Sequence, residues 1–182
     1  MIMKRKMLFV AVVAAVAVQN VQASDGVINF AGELVAQTCT ITIDGGPSPQ
    51  TKNLPKVSTS FLDAAGKVAG ATSVLIGLTG CAATPNSVTA FFEAGGTVDP
   101  ITGRMRNTAV GGADEVELQL LDGGPNAAPI LIGSDTQTTT NTRYTIDASG
   151  AVIMPYAVQY YATGVTTPGI VESQVTFSID YQ

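Results

Sequence analysis

The residues that could carry chemistry are few, and the types that are missing narrow the possibilities. The 182-residue chain contains no histidine, so the commonest general base is absent. Asp114 and Glu115 are adjacent, and neighbours on a strand point to opposite faces, which argues against an acid–base pair. Lys52, Lys56 and Lys67 fall in loop-like stretches with no G-x-S-x-G context around a nucleophile. Neither a G-x-G-x-x-G fingerprint nor a P-loop occurs. Asp44 and Asp122 each precede Gly-Gly-Pro. They lack the ligand spacing of an EF loop and read as turn residues. Tyr160-Tyr161 could form a sugar platform, but alternation places one ring in the core and the other at the surface. No catalytic, cofactor-binding or metal-binding residue is assigned.

Composition excludes further classes. The formal net charge is −5 and charged residues make up only 13%; phosphate contacts need clustered Lys and Arg, so no nucleic acid is expected as a partner. The first residues read as a signal peptide over 1–23. Lys4, Arg5 and Lys6 form a basic start, Met7 to Val18 is an uncharged apolar run, and Val21-Gln22-Ala23 is a small-residue cleavage site. The apolar run is shorter than the roughly 20 residues a bilayer needs, so the chain reads as exported. Two cysteines remain, Cys39 and Cys81. An even count in an exported chain points to a disulfide, although two unpaired buried thiols would have the same count. With no histidine, two thiols cannot complete a structural zinc shell.

The elements read as strands throughout. In Val171 to Tyr181 the odd positions are Val171, Ser173, Val175, Phe177, Ile179 and Tyr181, while Glu172, Gln174, Thr176, Ser178 and Asp180 alternate with them. A period of two is that of a half-buried strand. Ending the chain, it has no later hairpin partner, so one edge can lie open. In Ser24 to Ala36 the even positions Gly26, Ile28, Phe30, Gly32, Leu34 and Ala36 are all apolar or glycine. Further runs at 39–43, 72–78, 87–93, 116–121, 129–132 and 156–161 are strand-like. Leu54, Val57, Phe61 and Leu62 anchor a segment with a short helical turn near 60–65. The Thr-rich stretch 135–141 reads as a polar surface loop, and Tyr144, Ile146 and Val152-Ile153-Met154 as core around a turn at 147–150. Seven to nine strands with frequent turn signals argue for a single all-β domain, an antiparallel β-sandwich of immunoglobulin-like kind. An unpaired strand edge is an aggregation hazard unless something covers it.

Three stretches together carry a family resemblance. They are G-V-I-N-F-A-G-E-L-V before Cys39, V-L-I-G-L-T-G-C ending at Cys81, and Y-A-V-Q-Y-Y-A-T-G-V-T-T-P-G followed by V-T-F-S-I-D-Y-Q. With Tyr181 penultimate and Gly169 fourteenth from the end, the chain resembles the major structural subunits (pilins) of type 1-like chaperone–usher fimbriae. The resemblance implies an incomplete immunoglobulin-like antiparallel β-sandwich completed by a donor strand from a neighbouring subunit. It implies a donor-strand extension at 24–36 that inserts Ile28, Phe30 and Leu34 into a neighbour's groove, with Gly32 allowing close approach. The pilin domain would span 37–182, with Gly169, Val171, Val175, Phe177, Ile179 and Tyr181 as groove and chaperone-contact strand and Cys39–Cys81 as its disulfide. The implied partners are other copies of the chain, a periplasmic chaperone, an outer-membrane usher and minor tip subunits. The implied destination is a cell-surface fimbria mediating adhesion. The alternatives are a minor fimbrial subunit (adaptor or terminator) and a monomeric secreted sugar-binding β-sandwich.

Overall fold

The structure is a computed structural model and describes residues 39–82 and 84–182. The leader and the N-terminal strand expected at 24–36 lie outside these residues. The described chain runs through β1 (Thr40–Ile43), β2 (Gly46–Pro47), β3 (Val68–Thr79), β4 (Ser87–Phe92), β5 (Met105–Arg106) and β6 (Val116–Asp122). After a helical turn, α1 (Gln137–Thr140), come β7 (Tyr144–Thr145), β8 (Val152–Ala162) and β9 (Phe177–Tyr181). A larger sheet has the order β2-β1-β3-β8-β6-β5 and a smaller one the order β7-β4-β9. Every strand pair in both is antiparallel.

Local sequence explains these turns and pairings. The first Asp-Gly-Gly-Pro closes the β1–β2 hairpin with positive φ at Asp44 (49°) and Gly45 (80°), the backbone that matches strand twist. Asp44 also accepts the Leu75 N–H at 3.0 Å and pairs with Lys52 at 2.8 Å, so it is the structural residue its sequence suggested. Cys39 and Cys81 form a disulfide with Cα atoms 4.4 Å apart. It fastens the start of β1 to the end of β3, where Thr40 faces Thr79.

The core forms where the two sheets face each other. Ile76 and Leu78 of β3, Leu118 and Leu120 of β6, and Met154, Tyr156 and Val158 of β8 pack over Val88, Ala90 and Phe92 of β4. Phe92 and Tyr156 meet edge to face at 5.1 Å, a geometry favoured by the ring quadrupoles. Each fully buried side chain of this size contributes about 1.5–3 kcal/mol.

Five sequence expectations need correction. Phe61, expected among the apolar anchors, is 66% exposed on a short helical turn, and its neighbour Leu62 is the buried one. Residues 129–132 form no strand: Pro129 makes one isolated bridge to Leu121, because a proline has no N–H to extend a ladder. Ile130 and Ile132 are nonetheless buried. Stretch 135–141 is not only a polar loop, since it carries α1 and Gln137 is 1% exposed. Ile153 is 64% exposed; the two-residue period of β8 buries Met154 and turns Ile153 outward. Asp114 and Glu115 precede β6 rather than lying on a strand, and each bonds the loop before the C-terminal segment through Thr167 and Thr163.

Candidate strand-accepting groove

The C-terminal segment alternates as its sequence requires. From Val171 to Ser178 the odd residues are half-buried and the even ones exposed. β9 pairs with β4 from Phe92↔Phe177 to Val88↔Tyr181. Even-numbered residues direct their backbone groups to this side: Ser87 and Gln182 exchange bonds of 3.0 and 2.7 Å, and the Glu93 N–H donates to the Thr176 carbonyl at 2.9 Å. The pattern continues beyond the ladder. Thr97 Oγ1 donates to the Gln174 carbonyl at 2.6 Å, and the backbone N–H groups of Thr108 and Ala113 donate to the carbonyls of Glu172 and Ile170 at 2.8 and 2.9 Å.

Along one strand edge only alternate residues present their N–H and C=O. The odd residues therefore direct theirs to the opposite edge. Among the described residues, no backbone partner meets Val171, Ser173 or Val175. β9 is correspondingly the terminal strand of its sheet.

Beyond that edge the two sheets part. Residues 49–57 form the far wall, pinned by the Tyr160 hydroxyl, which donates to the Pro55 carbonyl at 3.2 Å. Between the walls lie two cavities of ≈ 610 and ≈ 530 Å³. The larger reaches Val175 and Phe177 on one wall, Leu54 on the other, and Phe92 and Tyr156 at its base. The smaller is lined by Gly169, Val171, Val57, Leu62 and Tyr160. Desolvation holds the Tyr160 and Tyr181 phenols above their ordinary range.

The structure thus brings Val171 and Gly169 to one cavity and Val175 and Phe177 to the other, with Ile179 and Tyr181 half-buried farther along the same strand. Gly169 has a second constraint: a Cβ there would lie 2.3 Å from the Ala113 nitrogen. Ile28, Phe30, Gly32 and Leu34 lie outside the described residues. The sequence shows Leu54 and Val57 as apolar anchors but not the wall they belong to, nor Tyr160 as the wall's tether. Prolines at 47, 49 and 55 were the available signal, since a proline-rich stretch is ill-suited to the middle of a sheet.

The opposite edge of β4 is closed mainly by side chains, with the Gly133 N–H also donating to the Phe92 carbonyl at 3.0 Å. β7 pairs only with Ser87 and Val88. Beyond it, the Ala90 N–H donates to the Tyr156 hydroxyl at 3.0 Å, and Asn141 Nδ2 donates to the Ala90 carbonyl at 3.4 Å. Gln137 accepts the Phe92 N–H at 3.0 Å and donates to the Phe92 carbonyl at 2.9 Å. The smaller sheet therefore has one edge capped and one edge free. No group of three or more His, Cys, Asp or Glu able to hold a metal occurs among the described residues.

Residues 54–182 match the model of the FimA family, described as type-1 fimbrial protein, A. The chain belongs to this family. Among related fimbrial subunits, it is 41% identical over 161 residues to the major fimbrial subunit SMF-1 of Stenotrophomonas maltophilia, covering 87% of this chain and 94% of the relative. It is 37% identical to the F17 fimbrial protein of Escherichia coli, over 99% of this chain and 100% of that one. A solved antigen and type I fimbria protein of Burkholderia pseudomallei superposes with a TM-score of 0.54 at 26% identity, covering 80% of this subunit and 96% of that chain. The P pilus rod subunit PapA shares the fold, with a TM-score of 0.57 at 20% identity over 79% and 99% of the two chains. The fold of this fimbrial subunit is accordingly an incomplete immunoglobulin-like sandwich, and membership of the family makes it a structural protein that assembles with other subunits.

Proposed function

We propose that this chain polymerises into a surface fimbria by donor-strand exchange, residues 24–36 of one copy filling the groove of the next. Cleavage after Ala23 would release that extension in the periplasm. The observation that carries the reading is the free edge of 171–181 beside an apolar groove. Strand addition is a known recognition mode, with chaperone–pilin complementation among its instances: backbone bonds supply affinity and side-chain pockets supply register. Ile28, Phe30 and Leu34 supply the apolar side chains, and Val171, Val175, Phe177, Ile179 and Tyr181 the receiving row. A periplasmic chaperone would cover the same edge before the neighbouring copy replaces it at an outer-membrane usher, with minor tip subunits at the end of the filament. The subunit acts as a building block in adhesion and not as an enzyme.

The test is Phe30→Asp, expressed with its assembly system. It would place an unpaired carboxylate in an apolar groove, at a cost of several kcal/mol. Surface filaments should vanish from electron micrographs while chaperone-bound monomer accumulates in the periplasm; normal filaments from this variant would refute the donor role.

A further inference from the structure

One groove-wall residue breaks the apolar row of Val171, Val175, Phe177 and Ile179. Ser173 stands between Val171, which lines the smaller cavity, and Val175, which lines the larger. Its hydroxyl is occluded from solvent and has no hydrogen-bond partner among the described residues. Buried hydroxyls in native proteins are nearly always bonded, and an unmet one is destabilising. Alanine would line the groove without that cost, so the position suits a partner that arrives with the occupant.

We propose that Ser173 fixes the register of the incoming strand by donating its hydroxyl to a backbone carbonyl at Gly32 of a second copy of this chain. The inference rests on the donor-strand reading above. In the donor row, Gly32 stands between Phe30 and Leu34, as Ser173 stands between Val175 and Val171. Directly opposed residues on one face of an antiparallel pair have Cβ atoms about 5 Å apart. Only a residue without a side chain leaves its backbone open to the Ser173 hydroxyl from that face. With Gly32 at Ser173, the bulkier pair Ile28 and Phe30 enters the ≈ 610 Å³ cavity and Leu34 the ≈ 530 Å³ one. The strand then runs antiparallel to 171–181, like every ladder in the structure. A slip of one residue would turn the apolar row outward. The competing arrangement is a slip of two, which keeps the row inward and places Phe30 or Leu34 against the hydroxyl. Ser173 selects against that slip.

The register predicts that Ala31 faces Gln174 across the new pair. This is a non-hydrogen-bonded pair, whose short Cα separation suits an engineered disulfide. Ala31→Cys is combined in turn with Gln174→Cys, Glu172→Cys and Thr176→Cys, and intersubunit crosslinks are quantified in filaments sheared from cells. With Ser173 intact, the 31–174 product dominates. Ser173→Ala lowers its preference over the two slipped products by roughly threefold to tenfold, the range of one lost hydrogen bond. Ser173→Thr keeps the hydroxyl and preserves the preference. An unchanged pattern in Ser173→Ala would overturn the register role while leaving donor-strand exchange intact. Absence of all three products from filaments with Ser173 intact would overturn donor-strand exchange and the register role together.

Discussion

Gln137 satisfies both backbone groups of Phe92 through a single side-chain amide. The amide imitates one residue of a neighbouring strand, offering a donor and an acceptor at the right spacing. Replacing it with alanine would leave the buried Phe92 N–H unmet, worth about 1–3 kcal/mol, while the Phe92 carbonyl keeps the Gly133 N–H at 3.0 Å. Gln137→Ala should therefore lower unfolding free energy by roughly 1–3 kcal/mol. Urea denaturation monitored by tyrosine fluorescence measures this, and a midpoint equal to that of the unaltered chain would contradict the role. Nothing in D-T-Q-T-T-T-N distinguishes this glutamine from a solvated one. Its partner is forty-five residues away in sequence, and local pattern carries no record of such contacts.

At the scale of elements, periodic stretches were legible and walls made without periodicity were not. The alternation of 171–181 named its half-buried row correctly, residue by residue. The same rule located β3, β4, β6 and β8. It misjudged Ile153, because a continuous apolar triplet hides which member faces inward. It could not reveal that 49–57 stands opposite 171–177, since that wall is held by the Tyr160 hydroxyl on Pro55 and the Lys52–Asp44 ion pair rather than by a ladder. Ser173 was visible as the lone polar member of its row, but the occlusion of its hydroxyl beside the larger cavity was not. The N-terminal extension remains a reading of sequence, resting on its even-position apolar row.

Two properties belong to the whole molecule. The disulfide closes a loop of 42 residues, for which chain entropy in the unfolded state gives about 4 kcal/mol. The paired variant Cys39→Ser with Cys81→Ser should lose stability of that order, read as a lowered denaturation midpoint. A midpoint unmoved by the double replacement would show that the bridge contributes nothing. The second property is alkaline lability. Burial raises the phenol pKa of Tyr144, Tyr156, Tyr160 and Tyr181, with Tyr144 pushed up to about 12 from 10.0. A raised phenol pKa means that the unfolded state loses its proton first. The associated stability is intact below pH 10 and drains away as pH rises towards about 12. Tyrosinate absorbance from these four residues and loss of circular dichroism should rise together over that window; their ionisation near pH 10 without unfolding would contradict it.

The capped edge of β4 also bears on the shape of what these molecules build. A polymer branches when its monomer carries three linking groups and stays linear when it carries two. Tyr156, Asn141 and Gln137 occupy the backbone groups at which the smaller sheet could otherwise recruit another strand. Under the proposed exchange, the smaller sheet then contributes one receiving edge to each subunit. Growth through that sheet runs as a single thread, because its capped side offers no second place to start a branch.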